Sequence, residues 1–303
     1  MSKKPKIIVI TGPTASGKSA AAILLARKLK GEIISADSRQ VFVSMDLGTG
    51  KVAKDPNQDE FYSEGVRHYL IDIVNPNDEF NVSHFKKAAE ISITEILKEG
   101  KLPIICGGTG FWIRSLIDNI DLPKVKPNLK LREELNKFSA TKLFNKLEKL
   151  DPERAKNIDK NNKVRMIRAI EIATAIGKVP TPKIQESEFD VLKLALSVNK
   201  EILDAKIKKR LEERFEQGMV LEVQGLHDSG ISWEKLEAFG LEYRWISRYL
   251  QNKISFDEMK EKLFFDIVHY AKRQSTWLRK EKDMIWCNNY DQIEKQAKNF
   301  LQN

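Results

Sequence analysis

Lys6-Ile7-Ile8-Val9-Ile10-Thr11-Gly12-Pro13-Thr14-Ala15-Ser16-Gly17-Lys18-Ser19, with the Ala- and Leu-rich run that follows it to Leu29, decides the reading of the fold. Four consecutive β-branched residues, Ile7 to Ile10, mark a strand buried on both faces. Gly12-Pro13 ends that strand, and Ser19 to Leu29 has helical composition and stops near Gly31. Between strand and helix, residues 12–19 match the spacing G-x-x-x-x-G-K-[ST]. Glycines there let backbone N–H groups converge on a phosphate, and the helix N-terminus adds about half a positive charge. Lys18 adds a full charge, and the Ser19 hydroxyl is a hard oxygen ligand suited to Mg²⁺. The plainer alternative is a glycine-rich turn that only starts a helix; the flanking elements argue against it. The segment is read as a binder of phosphate or pyrophosphate and does not by itself name a nucleotide.

Working outward, Glu32 to Ala36 is a second short strand and Phe85 to Lys98 an amphipathic helix stopped at Gly100. Leu102 to Cys106 is a further apolar strand, ending in Gly107-Gly108-Thr109-Gly110. Alternation of strand and helix predicts a parallel α/β sheet. Leu122 to Lys126 is a Pro- and Lys-rich linker. Asn128 to Ile176 is helical, with a helix start at Asp151-Pro152, and is closed by Gly177 to Pro182. Val191 to Val198 returns to strand, and the chain from Lys200 is mostly helical and ends basic. The expected fold is α/β: a P-loop NTPase-like parallel sheet core with a helical insertion domain and a helical C-terminal region. Residues 1–121 form the first part of the core, 122–189 the insertion and 190–303 the completion of the core with the basic C-terminal region.

Composition removes other classes. The chain is 41% hydrophobic, too apolar for wholesale disorder. No apolar run approaches the roughly 18 residues of a membrane helix. Met1 to Lys6 is basic, but Ile7 to Ile10 is too short for a signal sequence. Two cysteines, Cys106 and Cys287, exclude a disulfide framework or a four-cysteine zinc site and suggest the cytoplasm. The four histidines show no metal-ligand spacing. With 52 Lys+Arg against 43 Asp+Glu, the net charge of +9 permits a nucleic-acid partner.

A conventional P-loop ATPase needs an aspartate at the end of an apolar strand to assist Mg²⁺. Leu102 to Cys106 ends instead in glycines and threonine. A carboxylate does follow the second strand, at Asp37, and parallel strands bring their C-terminal ends to one edge. Proton abstraction from a nucleophile and a simple turn or helix cap are both open to Asp37. Gly48-Thr49-Gly50-Lys51 lacks the full spacing of the first motif and is expected to be an ordinary loop.

The P-loop, Ser35-Ala36-Asp37-Ser38-Arg39-Gln40, Met45-Asp46-Leu47-Gly48-Thr49-Gly50-Lys51, His68-Tyr69-Leu70-Ile71-Asp72, Gly107-Gly108-Thr109-Gly110, Arg165-Met166-Ile167-Arg168-Ala169-Ile170-Glu171 and Ala271-Lys272-Arg273-Gln274-Ser275-Thr276-Trp277-Leu278-Arg279 occur in this order. Together they resemble the bacterial tRNA dimethylallyltransferases, over nearly the whole chain. The resemblance implies transfer of a dimethylallyl group from dimethylallyl diphosphate to N6 of adenosine 37 beside the tRNA anticodon. It implies that Gly12, Pro13, Thr14, Ala15, Ser16, Gly17, Lys18 and Ser19 hold the diphosphate, with Mg²⁺ on Ser19. Asp37 is then the general base, and Thr109 contacts a flipped-out adenosine. Arg210, eight residues before Gly218, matches an arginine that meets the diphosphate; Arg214, one turn on, is the alternative. Contacts to tRNA are implied for Asp37, Ser38, Arg39, Gln40 and Thr109, for Asn161, Asn162, Lys163, Val164 and Arg165, and for Lys272 and Arg273. Gly240-Leu241-Glu242-Tyr243-Arg244 replaces the Gly-Tyr-Arg-Gln of many relatives, so Tyr243 and Arg244 are expected to act on tRNA in an altered way. Trp277, Trp286, Phe264 and Phe265 are expected to pack rather than stack on bases. The implied protein is a cytoplasmic monomer without a membrane or obligate protein partner. Two competing readings are an adenylate isopentenyltransferase acting on free nucleotides, disfavoured by the insertion and the charge, and a P-loop nucleotide kinase or ATP-driven RNA-binding protein.

Overall fold

The structure, a computed structural model, describes residues 4–182 and 185–302. The chain divides into two compact units, Met1–Asn119 with Glu186–Asn303, and Ile120–Gln185. The first part of the first unit runs β1 (Lys6–Thr11), α1 (Lys18–Leu29), β2 (Gly31–Ser35), β3 (Tyr62–Ser63), β4 (Val66–Tyr69), α2 (Val82–Lys98), β5 (Leu102–Gly107) and α3 (Gly110–Ile117). The second unit contains α4 (Leu129–Asn136), α5 (Ala140–Leu150), α6 (Pro152–Lys156) and α7 (Lys163–Ile176). The chain then returns as β6 (Asp190–Leu196), α8 (Lys200–Glu216), α9 (Met219–Asp228), α10 (Trp233–Phe239), α11 (Leu241–Leu250), α12 (Phe256–Leu278), β7 (Met284–Cys287) and α13 (Tyr290–Gln302).

Among the described residues the strands form one seven-stranded sheet in the order β3-β4-β2-β5-β1-β6-β7. β1 lies between β5 and β6, parallel to both, and only the β3–β4 pair is antiparallel. Alternate residues of β1 face opposite layers, as the two-residue period of a strand requires. Ile7 and Val9 join a core with Phe85 and Ile93 of α2, Trp112 of α3 and helices α8 to α12. Ile8 and Ile10 join a second core with Ala22 and Leu25 of α1 and Ile293 of α13. Burial on both faces is why β1 reads as an unbroken apolar run.

The strands β3, β4 and β7 are two to four residues long, too short for periodicity to reveal. The β3–β4 hairpin turns through Glu64 and Gly65, both at positive φ, with their N–H groups held by the Asp55 carboxylate at 2.9 and 2.8 Å. The stretch read as continuously helical is broken into four helices by side-chain caps. Asn128, Ser139, Asp151 and Asn162 each accept a backbone N–H at the start of one of them. The second unit has its own apolar core, around Leu135, Leu143, Leu147, Met166 and Ile170. Among the described residues no helix is long and apolar enough to cross a membrane.

Candidate active site

The loops that follow β1, β2 and β5 meet at the C-terminal edge of the sheet, where open parallel sheets bind ligands. Residues 12–17 curl tightly ahead of α1. Gly17, at φ 92°, occupies the left-handed position that caps the helix. Gly12 packs so closely that a Cβ there would lie 2.7 Å from Ser16 Oγ. Ser16 Oγ is itself buried with no hydrogen-bond partner. A buried hydroxyl is costly in that state, and an anion seated in the loop would satisfy it. Thr14 is held twice: its N–H donates to Gln274 Oε1 at 2.8 Å, and Arg210 Nη2 donates to its Oγ1 at 2.6 Å.

The segment after β2 is tied to the turn after β5. Ala36 N–H donates to Cys106 O at 2.8 Å and Thr109 N–H to Ala36 O at 3.1 Å. Ser38 N–H donates to Thr109 Oγ1 at 3.0 Å. Asp37 Oδ1 accepts from Arg39 N–H at 2.9 Å, a local turn that fixes the carboxylate on the wall of a cavity of about 240 Å³. Arg39 donates from Nε to Phe239 O at 2.9 Å and lies over the Phe239 ring. The Gln40 carboxamide is turned into the protein, accepting from Ser35 Oγ at 3.2 Å and donating toward Gly50 O at 3.4 Å.

Cations gather in this cavity. Lys18, Arg39, Arg210 and Arg214 line it, with Asp37 and Glu242 as the carboxylates. Burial pulls the Lys18 ammonium below its ordinary value, with Asp37 opposing the effect and Arg210 adding to it. Burial, reinforced by Arg214, pulls Arg210 down to about 10. Arg39 is likewise lowered by burial. Burial is the first cause of all three shifts: the cavity holds these cations away from water, which disfavours their charged forms. Arg214 is buried beside Glu242 at 3.3 Å, and burial pushes Glu242 up against that attraction. Of the two candidate arginines, Arg210 therefore reaches the phosphate loop while Arg214 is committed to a carboxylate.

The other residues singled out in the sequence lie in varied settings. Tyr243 is buried, 2% exposed, and donates to Glu222 Oε1 at 2.8 Å. Arg244 is half-buried near Asp266 at 3.8 Å. Lys272 and Arg273 are exposed on α12. In the second unit, Asn162 caps α7 through Arg165 N–H at 3.1 Å, Lys163 donates to Asn136 O at 3.0 Å, and Asn161, Val164 and Arg165 are exposed.

Gly48-Thr49-Gly50-Lys51 is not an ordinary loop. Gly48, Thr49 and Gly50 line the cavity, and a Cβ on Gly50 would overlap the Arg214 guanidinium. The Glu222 carboxylate accepts the N–H groups of Asp46, Leu47 and Gly48 at 2.9, 2.6 and 3.0 Å. Lys51 Nζ, almost wholly buried, donates to Phe42 O at 2.7 Å and pairs with Asp46 and Asp72. Tyr270 and Gln274 also line the cavity without having been distinguished as site residues. They share a face of α12 one turn apart, and the sequence marked Gln274 only as part of the Ala271–Arg279 segment.

The chain is similar to known proteins in sequence and in fold. The family model described as IPP transferase matches residues 40–281. The tRNA dimethylallyltransferase 1 of Syntrophus aciditrophicus is 40% identical, the match covering 97% of this chain and 98% of that protein. A full-length tRNA isopentenylpyrophosphate transferase from Bacillus halodurans superposes with a TM-score of 0.72 at 32% identity, covering 99% of this chain and 96% of that one. A eukaryotic dimethylallyltransferase acting on tRNA gives a TM-score of 0.78 at 27% identity over 97% of this chain and 77% of its own. The family model over residues 40–281, together with a relative 40% identical over 97% of the chain, shows that this chain belongs to the IPP transferase family.

Proposed function

We propose that this protein transfers the dimethylallyl group of dimethylallyl diphosphate to N6 of adenosine 37 in the anticodon stem-loop of tRNA, acting as a cytoplasmic monomer. One juxtaposition carries the reading: Lys18 and Arg210 share a cavity with Asp37, and Thr109 is hydrogen-bonded to the residue after Asp37. The diphosphate sits in the loop of residues 12–19, where Ser16 Oγ lacks a partner. The N6 lone pair forms the new C–N bond to the first carbon of the dimethylallyl group. The C–O bond to diphosphate breaks and its electron pair leaves with the diphosphate. Lys18, Arg210 and the loop N–H groups stabilise the negative charge that grows there. The N6 proton passes to the Asp37 carboxylate, which makes a poor exocyclic amine a competent nucleophile. Thr109 orients the adenine.

Among the described residues no group of three or more His, Cys, Asp or Glu side chains is placed to hold a metal ion. Ser19, at the cavity wall, is a hard oxygen donor. It would be the side chain to hold a Mg²⁺ ion beside the diphosphate. When bound, that ion neutralises charge on the leaving group. The tRNA is met by the net charge of +9 and by exposed Lys163-side and α12 basic groups such as Arg165, Lys272 and Arg273.

The test is transfer from labelled dimethylallyl diphosphate, with unmodified tRNA carrying adenosine 37 and free AMP as alternative acceptors and ATP hydrolysis as a control. Label in tRNA alone is the expected result. Label in AMP moves the protein to free nucleotides, and ATP hydrolysis without transfer overturns the proposal.

A further inference from the structure

We infer that Gln274 is a positioning residue that sets the spacing between the loop holding the leaving diphosphate and the turn holding the acceptor and its base. The inference rests on the proposed function. Gln274 lies in α12 and is 8% exposed. A carboxamide so buried is costly unless both of its ends are hydrogen-bonded. Here Oε1 accepts from Thr14 N–H at 2.8 Å, and Nε2 donates to Gly108 O at 3.1 Å. The partners dictate the orientation: an N–H demands the oxygen, and a carbonyl demands the nitrogen.

The two partners lie in the loops that follow neighbouring strands. β1 and β5 are paired as far as Thr11 opposite Gly107, and Thr11 Oγ1 donates to Gly107 O at 2.9 Å. The chains then turn away into α1 and α3, and Gln274 bridges them. Gly108 lacks a side chain at this bridge; a Cβ there would overlap Gln274 Nε2. Beyond Gly108, Thr109 binds Ala36 and Ser38, on either side of Asp37. Beyond Thr14, Arg210 holds the threonine hydroxyl. A single carboxamide thus links the loop that carries the diphosphate cations to the turn that carries Asp37. Displacement at carbon needs reacting atoms about 3–3.5 Å apart, and a misplacement of about 1 Å costs about 100-fold in rate. Gln274 fixes that distance without spending its polar atoms on either substrate.

Two variants of the full chain test this, measured with tRNA and dimethylallyl diphosphate. Gln274→Met keeps length and packing and removes both hydrogen bonds. It is expected to lower kcat about 10- to 100-fold while both KM values stay within about threefold. Gln274→Glu keeps an acceptor for Thr14 N–H but, when ionised, sets oxygen against Gly108 O. Its kcat relative to wild type is expected to rise as pH falls, because the protonated carboxyl regains an O–H for Gly108 O. Wild-type kcat in Gln274→Met overturns the inference, and so does a loss confined to donor KM, which marks a diphosphate contact. A pH-independent ratio for Gln274→Glu overturns it too, and that ratio decides alone if circular dichroism shows Gln274→Met unfolded. Failure of the wild-type protein to modify tRNA overturns the proposed function instead, and is seen before any variant is compared.

Discussion

Asp37 has two roles in one side chain: Oδ1 closes a turn on Arg39 N–H, and the turn presents the carboxylate to the cavity. The turn and the base, alternatives in the sequence, are compatible in space. Asp37→Ala is expected to lower kcat by about 10²–10⁴ with donor affinity little changed; single-turnover transfer beside a donor-binding titration checks this, and normal turnover would remove Asp37 as base. Lys18→Ala is expected to weaken dimethylallyl diphosphate binding by about tenfold or more and to lower turnover with it, since hydrogen bonds to charged groups are worth about 1.5–3 kcal/mol. Unchanged donor affinity in a calorimetric titration would contradict the diphosphate role. Lys18 was legible from spacing because a P-loop is local: strand, glycines, lysine and helix follow one another in the chain. Gln274 was not, because its partners lie 260 and 166 residues away.

At the scale of elements, the Met45–Lys51 loop is a cavity wall built from a distance. Glu222 of α9 collects three of its N–H groups and the Tyr243 hydroxyl. Glu222→Ala is expected to destabilise the protein by about 1–3 kcal/mol, the cost of leaving the part-buried Leu47 and Gly48 N–H groups and the Tyr243 hydroxyl unsatisfied, read as a lower midpoint in chemical denaturation. The second unit has its own polar anchor. Glu171 is buried and accepts from Asn128 N–H at 2.5 Å and from Arg132 at 3.0 Å, and pairs with Arg168. Burial works to raise its carboxyl, but the Arg132, Asn128 and Arg168 hydrogen bonds outweigh it and hold the group below its ordinary 4.5. A depressed folded-state value means stability present above about pH 4.5 and lost as pH falls through the folded value. Glu171→Gln is therefore expected to be less stable than wild type at neutral pH, with the gap narrowing in acid; thermal melts across pH 3–7 check it, and a gap independent of pH would show that the ionised pair contributes nothing.

At the scale of the whole molecule, a net charge of +9 with exposed basic groups leads us to expect tRNA affinity that rests on phosphate contacts and so falls with salt. Filter binding between about 50 and 200 mM salt is expected to show at least a tenfold loss of tRNA affinity, with a steep linear slope of log K on log salt; a flat slope would mean that binding rests little on phosphate contacts. The sequence by itself determined the sheet core, the phosphate loop and the position of Asp37, because each is written in contiguous residues: β-branched runs, glycine spacing, a carboxylate just past a strand. Only the tertiary structure decided that Arg210 and not Arg214 meets Thr14, that Gly48 to Gly50 is a cavity wall, and that Gln274 spans the two loops. Those facts depend on where α8, α9 and α12 pack against the sheet edge. Long-range packing of that kind follows from complementary surfaces and satisfied buried polar groups rather than from any local pattern.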